Sequence, residues 1–126
     1  MTLKLYAHPF SSYCQKVLIA LYENGTPFEW RMLAPDAAGA AEEFARLWPL
    51  KRMPLLQDGE RAVVESSIII EYLDLHYSGT ARLIPIAADA ALEARVLDRF
   101  FDNYIHTPLQ KLVFDRLRPE TDRDGF

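Results

Sequence analysis

Apolar residues recur along the chain with two different spacings. Alternating or short continuous apolar runs bounded by turn residues predict strands, and apolar residues three and four positions apart predict amphipathic helices. Together these spacings predict the element order β-α-β-α-β-β-α within residues 1–77. The predicted ranges are 3–6, 12–23, 27–32, 37–48, 53–57, 61–65 and 66–77.

The first predicted helix has a marked beginning and a marked end. Either Ser11 or Ser12 begins this helix, and we favour Ser12 as the N-cap because Ser12, with Gln15 three positions later, matches a capping box. Asn24 and Gly25 supply a left-handed stop. With the strand at 27–32, this helix completes a β-α-β unit, for which we expect parallel strands and a right-handed crossover. The apolar residues at helical spacing are Cys14, Val17, Leu18, Leu21 and Tyr22.

Turn residues also organise the second half of the predicted sheet. Asp58 and Gly59 separate two short strands and suit a hairpin, so we expect these strands to be antiparallel neighbours. The helix that follows ends at Ser78 and Gly79. This order of elements predicts an α/β fold with a mixed four-stranded sheet.

A change of composition marks a predicted domain boundary. Residues 79–88 contain Gly79 and Pro85, and we interpret them as a linker. The predicted domains are therefore residues 1–78 and residues 89–126.

The region after the linker is predicted to be helical. We expect Asp89 to be the N-cap and Pro108 to break or kink the helix, with a second helical piece at 109–117 and a loop at 118–126. The apolar face is wide, so either the chain is a fragment or another subunit covers that face. Its residues are Leu92, Val96, Leu97, Phe100, Phe101, Tyr104 and Ile105.

Composition and charge exclude several classes of function. A net charge of −4 and a pI near 5.3 leave no basic excess to bind a nucleic acid or an acidic membrane surface. A single cysteine permits no internal disulfide, and His8, His76 and His106 lie too far apart in sequence to form a metal motif. Because neither a signal peptide nor an apolar run of about 18 residues is present, we expect a soluble, cytoplasmic protein.

Candidate chemistry is concentrated where the first strand passes into the first helix. Ser11 and Cys14 place a hydroxyl and a thiol three positions apart near a helix N-terminus. Such a helix end favours anions, including a thiolate. Cys14 also shares the apolar face of the helix, so it is either a buried small hydrophobic residue or a redox-active thiol.

Three motifs occur in order along the chain. The first is Ser11–Val17, in which Ser11 and Cys14 have the form S-x-x-C; the second is the loop Pro49–Pro54. The third, Glu65–Leu73, has the form E-S-x-x-I-x-x-Y-L. At these spacings the motifs resemble those of the cytosolic glutathione transferase family, and the resemblance extends over residues 3–117.

The resemblance implies a thioredoxin-like βαβ-αββα glutathione-binding domain followed by the start of an all-helical domain. It implies that Ser11 takes the position of the catalytic serine. It also implies that Pro54 follows a cis peptide bond and that the Met53 backbone pairs with glutathione. Glu65 and Ser66 match the residues that hold the γ-glutamyl group.

Other residues near these motifs have candidate roles. Arg52 is a better candidate than Lys51 for binding the other carboxylate of the ligand, and Tyr104 and His106 are candidates to line an acceptor pocket. Glutathione is the expected cosubstrate, and neither a metal nor a tightly bound organic cofactor is implied.

The resemblance therefore implies a glutathione transferase, in which the bound thiolate attacks an unidentified apolar electrophile or drives a related isomerisation. Two other hypotheses stay open. One is a glutathione-dependent thiol transferase or reductase that uses Cys14, and the other is a non-catalytic protein-interaction module with the same fold. The resemblance and the wide apolar face favour a homodimer, with no nucleic-acid or membrane partner.

Overall fold

The computed structural model of the protein describes residues 2–126, which divide into two compact units between Ile84 and Pro85. The first unit contains β1 (Leu3–Ala7), α1 (Ser12–Glu23), β2 (Phe28–Met32), α2 (Ala38–Leu47), β3 (Leu55–Asp58), β4 (Arg61–Val64) and α3 (Ser66–His76). The second contains α4 (Ala88–Phe100), a π-helical segment (Phe101–His106), α5 (Thr107–Leu117) and a short 3-10 turn (Glu120–Asp122). The predicted order of elements is confirmed, and the division falls within residues 79–88.

The strands form one mixed sheet in the order β2-β1-β3-β4. β1 is parallel to β2, with Leu5 opposite Trp30, and antiparallel to β3, with Leu5 opposite Leu56. β3 and β4 are antiparallel and pair Leu56 with Val63. Gly59 closes their hairpin with a φ of 62°, in the left-handed region. The predicted parallel β1–β2 pair and the predicted hairpin are therefore confirmed.

Each face of the sheet carries its own apolar cluster, because alternate residues of a strand point to opposite faces. Tyr6 of β1, Phe44 of α2 and Leu55 form the smaller cluster. Burial of each large aliphatic side chain contributes roughly 1.5–3 kcal/mol, so the larger cluster contributes most of the apolar stabilisation. Its buried residues are Leu3, Leu5, Ala7, Cys14, Val17, Leu18, Ala20, Leu21, Leu56, Val63, Ile69 and Leu73.

The N-terminus of α1 differs from the prediction by one residue. Ser11, not Ser12, is the N-cap, and its Oγ accepts a hydrogen bond from the backbone N–H of Cys14 (3.3 Å). The predicted capping box is wrong, because the Gln15 side-chain amide donates to the carbonyl of Pro9 (2.7 Å) instead. The chain turns at Pro9, before the helix, and this turn brings Ser11 to the capping position.

The C-terminal end of α1 holds the connector that follows α3. Gly25 has a φ of 59°, which confirms the predicted left-handed stop. The Asn24 side chain donates to the Ala81 carbonyl (2.9 Å) and accepts from the Ala81 N–H (2.8 Å). α3 ends at His76, close to the predicted end before Ser78 and Gly79. Gly79 allows close approach, because a Cβ at this position would collide with the Asn24 side chain.

β3 begins two residues later than predicted, at Leu55. The Met53–Pro54 peptide bond before it is cis, as the resemblance implies. Pro54 has no backbone N–H to donate, and regular strand pairing begins at the next residue.

Near Pro108, where a break or kink was predicted, the second unit changes from α-helix to a π-helical segment, and the predicted second helical piece is present as α5. The N-cap of α4 is Ala87, so Asp89 lies in the first turn, where its carboxylate faces the positive end of the helix. Pro108 occupies the first turn of α5, and the π-helical segment before it accommodates the missing N–H and the ring. The N–H of Thr107 donates to the carbonyl of Asp102, five residues back, which is the π-helical pattern.

The segment after α5 is held to the helix by Asp115. This buried carboxylate accepts hydrogen bonds from the N–H groups of Asp124 (2.6 Å) and Gly125 (3.3 Å) and from the Arg118 guanidinium (2.5 Å). These hydrogen bonds hold the pKa of the Asp115 carboxyl below its usual range, and the bond from the Asp124 N–H has the largest effect. The predicted loop at 118–126 is therefore irregular but anchored.

The wide apolar face predicted for the second unit is exposed. Its most exposed aromatic side chain is Tyr104, at 69%, and Leu97 is 52% exposed. In the part of the chain that the structure describes, no helix is both long and apolar enough to cross a membrane.

Candidate functional site

Strand register brings three segments of the first unit to one edge of the sheet. β1 ends at Ala7, and Tyr6 before it lies opposite Leu55 at the start of β3. Leu55 in turn lies opposite Val64, the last residue of β4. The loop after β1, the loop before β3 and the start of α3 therefore converge. The candidate residues that they carry are Ser11, Met53, Pro54, Glu65 and Ser66.

Ser11 lies at this edge with a nearly buried side chain, 5% exposed. Its N–H donates to the His8 carbonyl (3.1 Å) and its Oγ accepts from the Cys14 N–H. A hydroxyl has one proton to donate and two lone pairs with which to accept, so the capping bond does not use the proton. The Ser11 proton is therefore left for a second partner, and the side-chain hydrogen bond that lowers the pKa of Cys14 makes the Cys14 thiol one such partner. A ligand sulfur at this position would compete with Cys14 for that proton.

Cys14 lies one turn into α1 and is fully buried in the larger cluster. Burial raises the pKa of its thiol, and this effect outweighs the lowering by the Ser11 hydroxyl and the His8 backbone. A helix N-terminus lowers a cysteine pKa only where the thiolate can be solvated or paired. The structure therefore places Cys14 in the environment of a small hydrophobic residue.

The start of α3 has the geometry of an anion site. Glu65 precedes the helix with a φ of 71°, a left-handed conformation that is rare for a residue with a side chain and is common at ligand sites. The Glu65 side chain caps no N–H of the helix. Ser66 follows, 6% exposed, in the first turn. The N–H groups of such a turn and the helix dipole favour a carboxylate.

The loop before β3 combines an anchored backbone with an exposed charge. Lys51 has a φ of 53°, and its N–H donates to the carbonyl of Trp48 (2.9 Å). The Met53 side chain packs against both apolar clusters. Arg52, which lies between Lys51 and Met53 in the sequence, is exposed. An exposed guanidinium beside an anchored backbone suits a charged group of a bound peptide.

A hydrogen bond between α1 and α3, the two helices of the site, was not predicted. The ammonium of Lys16 on α1 donates to the hydroxyl of Ser67 on α3 (3.2 Å). Helical spacing places Lys16 off the apolar face of α1, but its partner lies 51 residues away in sequence. Local pattern carries no signal for such a pair.

The candidate acceptor residues lie in the second unit. Tyr104 and His106 belong to the π-helical segment, and their predicted role in an acceptor pocket stays a prediction. Among residues 2–126, no group of three or more His, Cys, Asp or Glu side chains is arranged to hold a metal ion.

Comparison with known proteins identifies the fold of this site. The profile of the glutathione S-transferase N-terminal domain matches residues 5–81, which cover the sheet, the site and α3. The chain belongs to the glutathione S-transferase family. A thioredoxin-like first unit, as the resemblance implies, is the fold of that domain, and it is found in the solved structures that the chain matches.

Individual glutathione S-transferases match most of this chain. A probable glutathione S-transferase of Oryza sativa subsp. japonica is 36% identical over 112 residues, which cover 85% of this chain and 46% of the rice protein. The theta-3 enzyme of Mus musculus is 32% identical over 114 residues, covering 87% of this chain and 44% of the mouse protein. The chain thus spans about half the length of the curated relatives it matches.

A solved glutathione S-transferase from Methylobacterium radiotolerans superposes with a TM-score of 0.76 at 31% identity. The match covers 99% of this chain and 57% of the bacterial protein, which was crystallised in complex with glutathione sulfonate.

Proposed function

We propose that this glutathione S-transferase family member binds glutathione at the edge formed by β1, β3 and α3 and activates its thiol. The observation that carries the proposal is the Ser11 hydroxyl. It lies at the N-terminus of α1 with its proton unused by the cap, beside the segments that carry Met53 and Ser66. The family and the relative crystallised with glutathione sulfonate support this choice of ligand.

The shift in thiol pKa that Ser11 has to produce is moderate. A free thiol has a pKa near 8.5, so a mostly ionised thiol at neutral pH needs a shift of about two units, or about 2.7 kcal/mol. A charge-assisted hydrogen bond from the Ser11 hydroxyl contributes about 1.5–3 kcal/mol, and the helix end about 0.3–1 kcal/mol more. Ser11 therefore donates to the thiolate and does not attack; the glutathione sulfur is the nucleophile.

The remaining residues hold the peptide. In this proposal the Met53 backbone pairs with extended glutathione, and Arg52 binds one of its carboxylates. Glu65 accepts from the ammonium of the γ-glutamyl group, while Ser66 and the first turn of α3 bind its carboxylate. The product arises by attack of the thiolate on an apolar electrophile or by a related isomerisation. In the same proposal, the protein acts as a homodimer.

The hypothesis that Cys14 carries out thiol transfer has less support. A catalytic cysteine needs an accessible thiolate, whereas Cys14 is fully buried and its pKa is raised. The third hypothesis, a protein-interaction module, requires no glutathione binding, so retention on immobilised glutathione decides it.

The test is the pKa of the bound glutathione thiol, followed by the ultraviolet absorbance of the thiolate in a pH titration. Relative to the unmutated chain, we expect Ser11→Ala to raise this pKa by about one to two units and to lower thiolate-dependent activity at neutral pH about 10- to 100-fold. Ser12→Ala is the matched control, and we expect it to leave the pKa unchanged.

Retention on immobilised glutathione separates binding from activation. We expect Ser66→Ala to weaken retention and Ser11→Ala to preserve it. If the unmutated chain is not retained, the protein-interaction module replaces the transferase. If Ser11→Ala leaves the thiol pKa unchanged, Ser11 is only a helix cap.

A further inference from the structure

A polar network lies on the face of the sheet that carries α2. The Tyr6 hydroxyl donates to Oε2 of Glu43 (2.8 Å) and lies 3.2 Å from Oε1 of Gln57. The guanidinium of Arg31 on β2 pairs with Oε1 of Glu43 (2.9 Å). One carboxylate of α2 is therefore tied to two neighbouring strands of the sheet.

The same geometry shifts the pKa values of the residues in the network. Burial and the Glu43 carboxylate raise the pKa of Tyr6 to about 12. The Tyr6 hydroxyl, with Arg31, lowers the pKa of Glu43. At neutral pH the network thus contains a charged carboxylate that accepts from a protonated phenol and from a guanidinium.

α2 depends on the contacts of Glu43 with the sheet because the sequence of α2 by itself has a weak tendency to form a helix. Its N-cap, Ala37, makes no side-chain capping bond, and Gly39 lies in its first turn. A helix of 10 residues with a glycine and no cap is marginal without tertiary contacts. The buried apolar anchors of α2 are Ala40 and Phe44, one turn apart.

The end of α2 leads directly into the loop that carries Arg52 and Met53. The Trp48 N–H donates to the Phe44 carbonyl (2.8 Å), and the Lys51 N–H donates to the Trp48 carbonyl (2.9 Å). A chain of backbone bonds therefore connects α2 to the residue before Arg52. We therefore expect a change in the docking of α2 to move the start of this loop.

We infer that Glu43 is a positioning residue for glutathione: through Tyr6 and Arg31 it docks α2 on the sheet and so places the loop 48–53 against the ligand. This role rests on the proposed function, because the ligand of the loop is the proposed glutathione. Glu43 touches neither the thiol nor Ser11, so it sets how tightly glutathione binds and leaves the activation of the thiol unchanged.

The test compares Glu43→Ala with Glu42→Ala, a neighbouring glutamate of the same helix that is exposed. We expect Glu43→Ala to raise the glutathione Kd about three- to tenfold and Glu42→Ala to leave it within about twofold. In both variants we expect the pKa of the bound thiol to stay at the unmutated value. A general loss of structure would move both quantities, whereas a positioning role moves only the Kd.

A second variant tests the tie itself. Tyr6→Phe keeps the buried ring and removes the hydroxyl that donates to Glu43, so the chain folds without the bond. We expect Tyr6→Phe to weaken glutathione binding and the double variant to be no weaker than Glu43→Ala alone. Additive effects would overturn the inference, and so would equal Kd values for Glu43→Ala and Glu42→Ala.

Hydrogen exchange separates failure of this inference from failure of the proposed function. We expect Glu43→Ala to speed amide exchange in residues 48–53 without changing exchange in α1. If the unmutated chain binds no glutathione, the proposed function is wrong, and the exchange result still decides whether Glu43 places the loop. Unchanged exchange in residues 48–53 would overturn the inference.

Discussion

The Ser11 side chain serves both the fold and the proposed chemistry. As the N-cap of α1 it accepts from Cys14, and loss of a serine cap costs about 1 kcal/mol in stability. Any loss of activity in Ser11→Ala therefore includes a structural contribution. The pKa of the bound thiol is free of that contribution, and for this reason it is the better measure of the role of Ser11.

Cys14 provides a prediction about reactivity. Because its thiol is fully buried, we expect it to react with an alkylating reagent at neutral pH at least about 100-fold more slowly in the folded protein than in denaturant. Mass spectrometry of the single modified cysteine measures both rates. Rapid alkylation of the folded chain would contradict this prediction and restore the thiol transferase hypothesis.

The raised pKa of Cys14 also has a consequence for stability. Folding favours the protonated thiol, so this contribution is complete below the ordinary cysteine pKa of about 8.5 and is lost as the pH rises through the higher folded-state value. Cys14→Ala should therefore show a smaller decline in unfolding free energy between neutral and alkaline pH than the unmutated chain.

At the scale of elements, α3 connects the candidate site with the β3–β4 hairpin. Its start carries Glu65 and Ser66, and its last two turns are tied to the β3–β4 hairpin. The hydroxyls of Tyr72 and Tyr77 both donate to Oδ2 of Asp58 (2.7 Å each). Tyr72 lies within the third sequence motif, so one residue of this motif supports the fold while Glu65 and Ser66 lie at the site.

The hairpin tie predicts the effect of Tyr72→Phe. We expect it to lower the free energy of unfolding by about 1–2 kcal/mol at neutral pH, because a hydrogen bond to a charged carboxylate is lost. The Tyr72 and Tyr77 bonds lower the pKa of Asp58, so the stabilisation is present above pH 4 or so and is lost as the pH falls. Denaturant unfolding at neutral and acid pH should therefore show the difference shrinking in acid.

Tyr22→Phe is the matched control, since that ring is 63% exposed and lies on the surface of α1. Its effect should stay within about 0.5 kcal/mol at both pH values. Equal losses for the two variants would contradict a specific role for the Tyr72 hydroxyl.

At the scale of the whole molecule, the two units differ in how their apolar surface is used. The first unit buries two clusters around its sheet, whereas the second presents a long row of partly or largely exposed apolar side chains. Large exposed apolar patches are typical of interaction surfaces. The exposed residues of the row are Leu92, Val96, Leu97, Phe100, Phe101, Tyr104, Ile105, Leu109 and Leu112.

The exposed row supports the prediction of a homodimer. We expect the 126-residue chain to sediment as a dimer at micromolar concentration, and Val96→Lys to shift it toward monomer by placing a charge in the row. Glu93→Lys also introduces a lysine into α4, outside the row, and serves as the control. A monomer at every concentration of the unmutated chain would show this prediction to be wrong.

Local pattern alone predicts much of this protein. Apolar spacing predicts the order of the elements, and turn pairs such as Asn24-Gly25 and Asp58-Gly59 predict where they end, because both signals act between residues close in sequence. The three motifs likewise identify the family and the segments of its candidate site. The helix cap at Ser12 and the N-cap at Asp89 were wrong, because a cap depends on the backbone geometry of the preceding turn and not on the immediate pattern.

The sequence by itself therefore determined the elements, their order and the family. Only the tertiary structure decided that Ser11 caps α1, that Cys14 is buried beneath it, and that Glu43 meets Tyr6 from 37 residues away. The physical reason is that the pKa of a thiol and the partner of a carboxylate depend on what surrounds them in space. Those surroundings exist only after the distant segments have packed together.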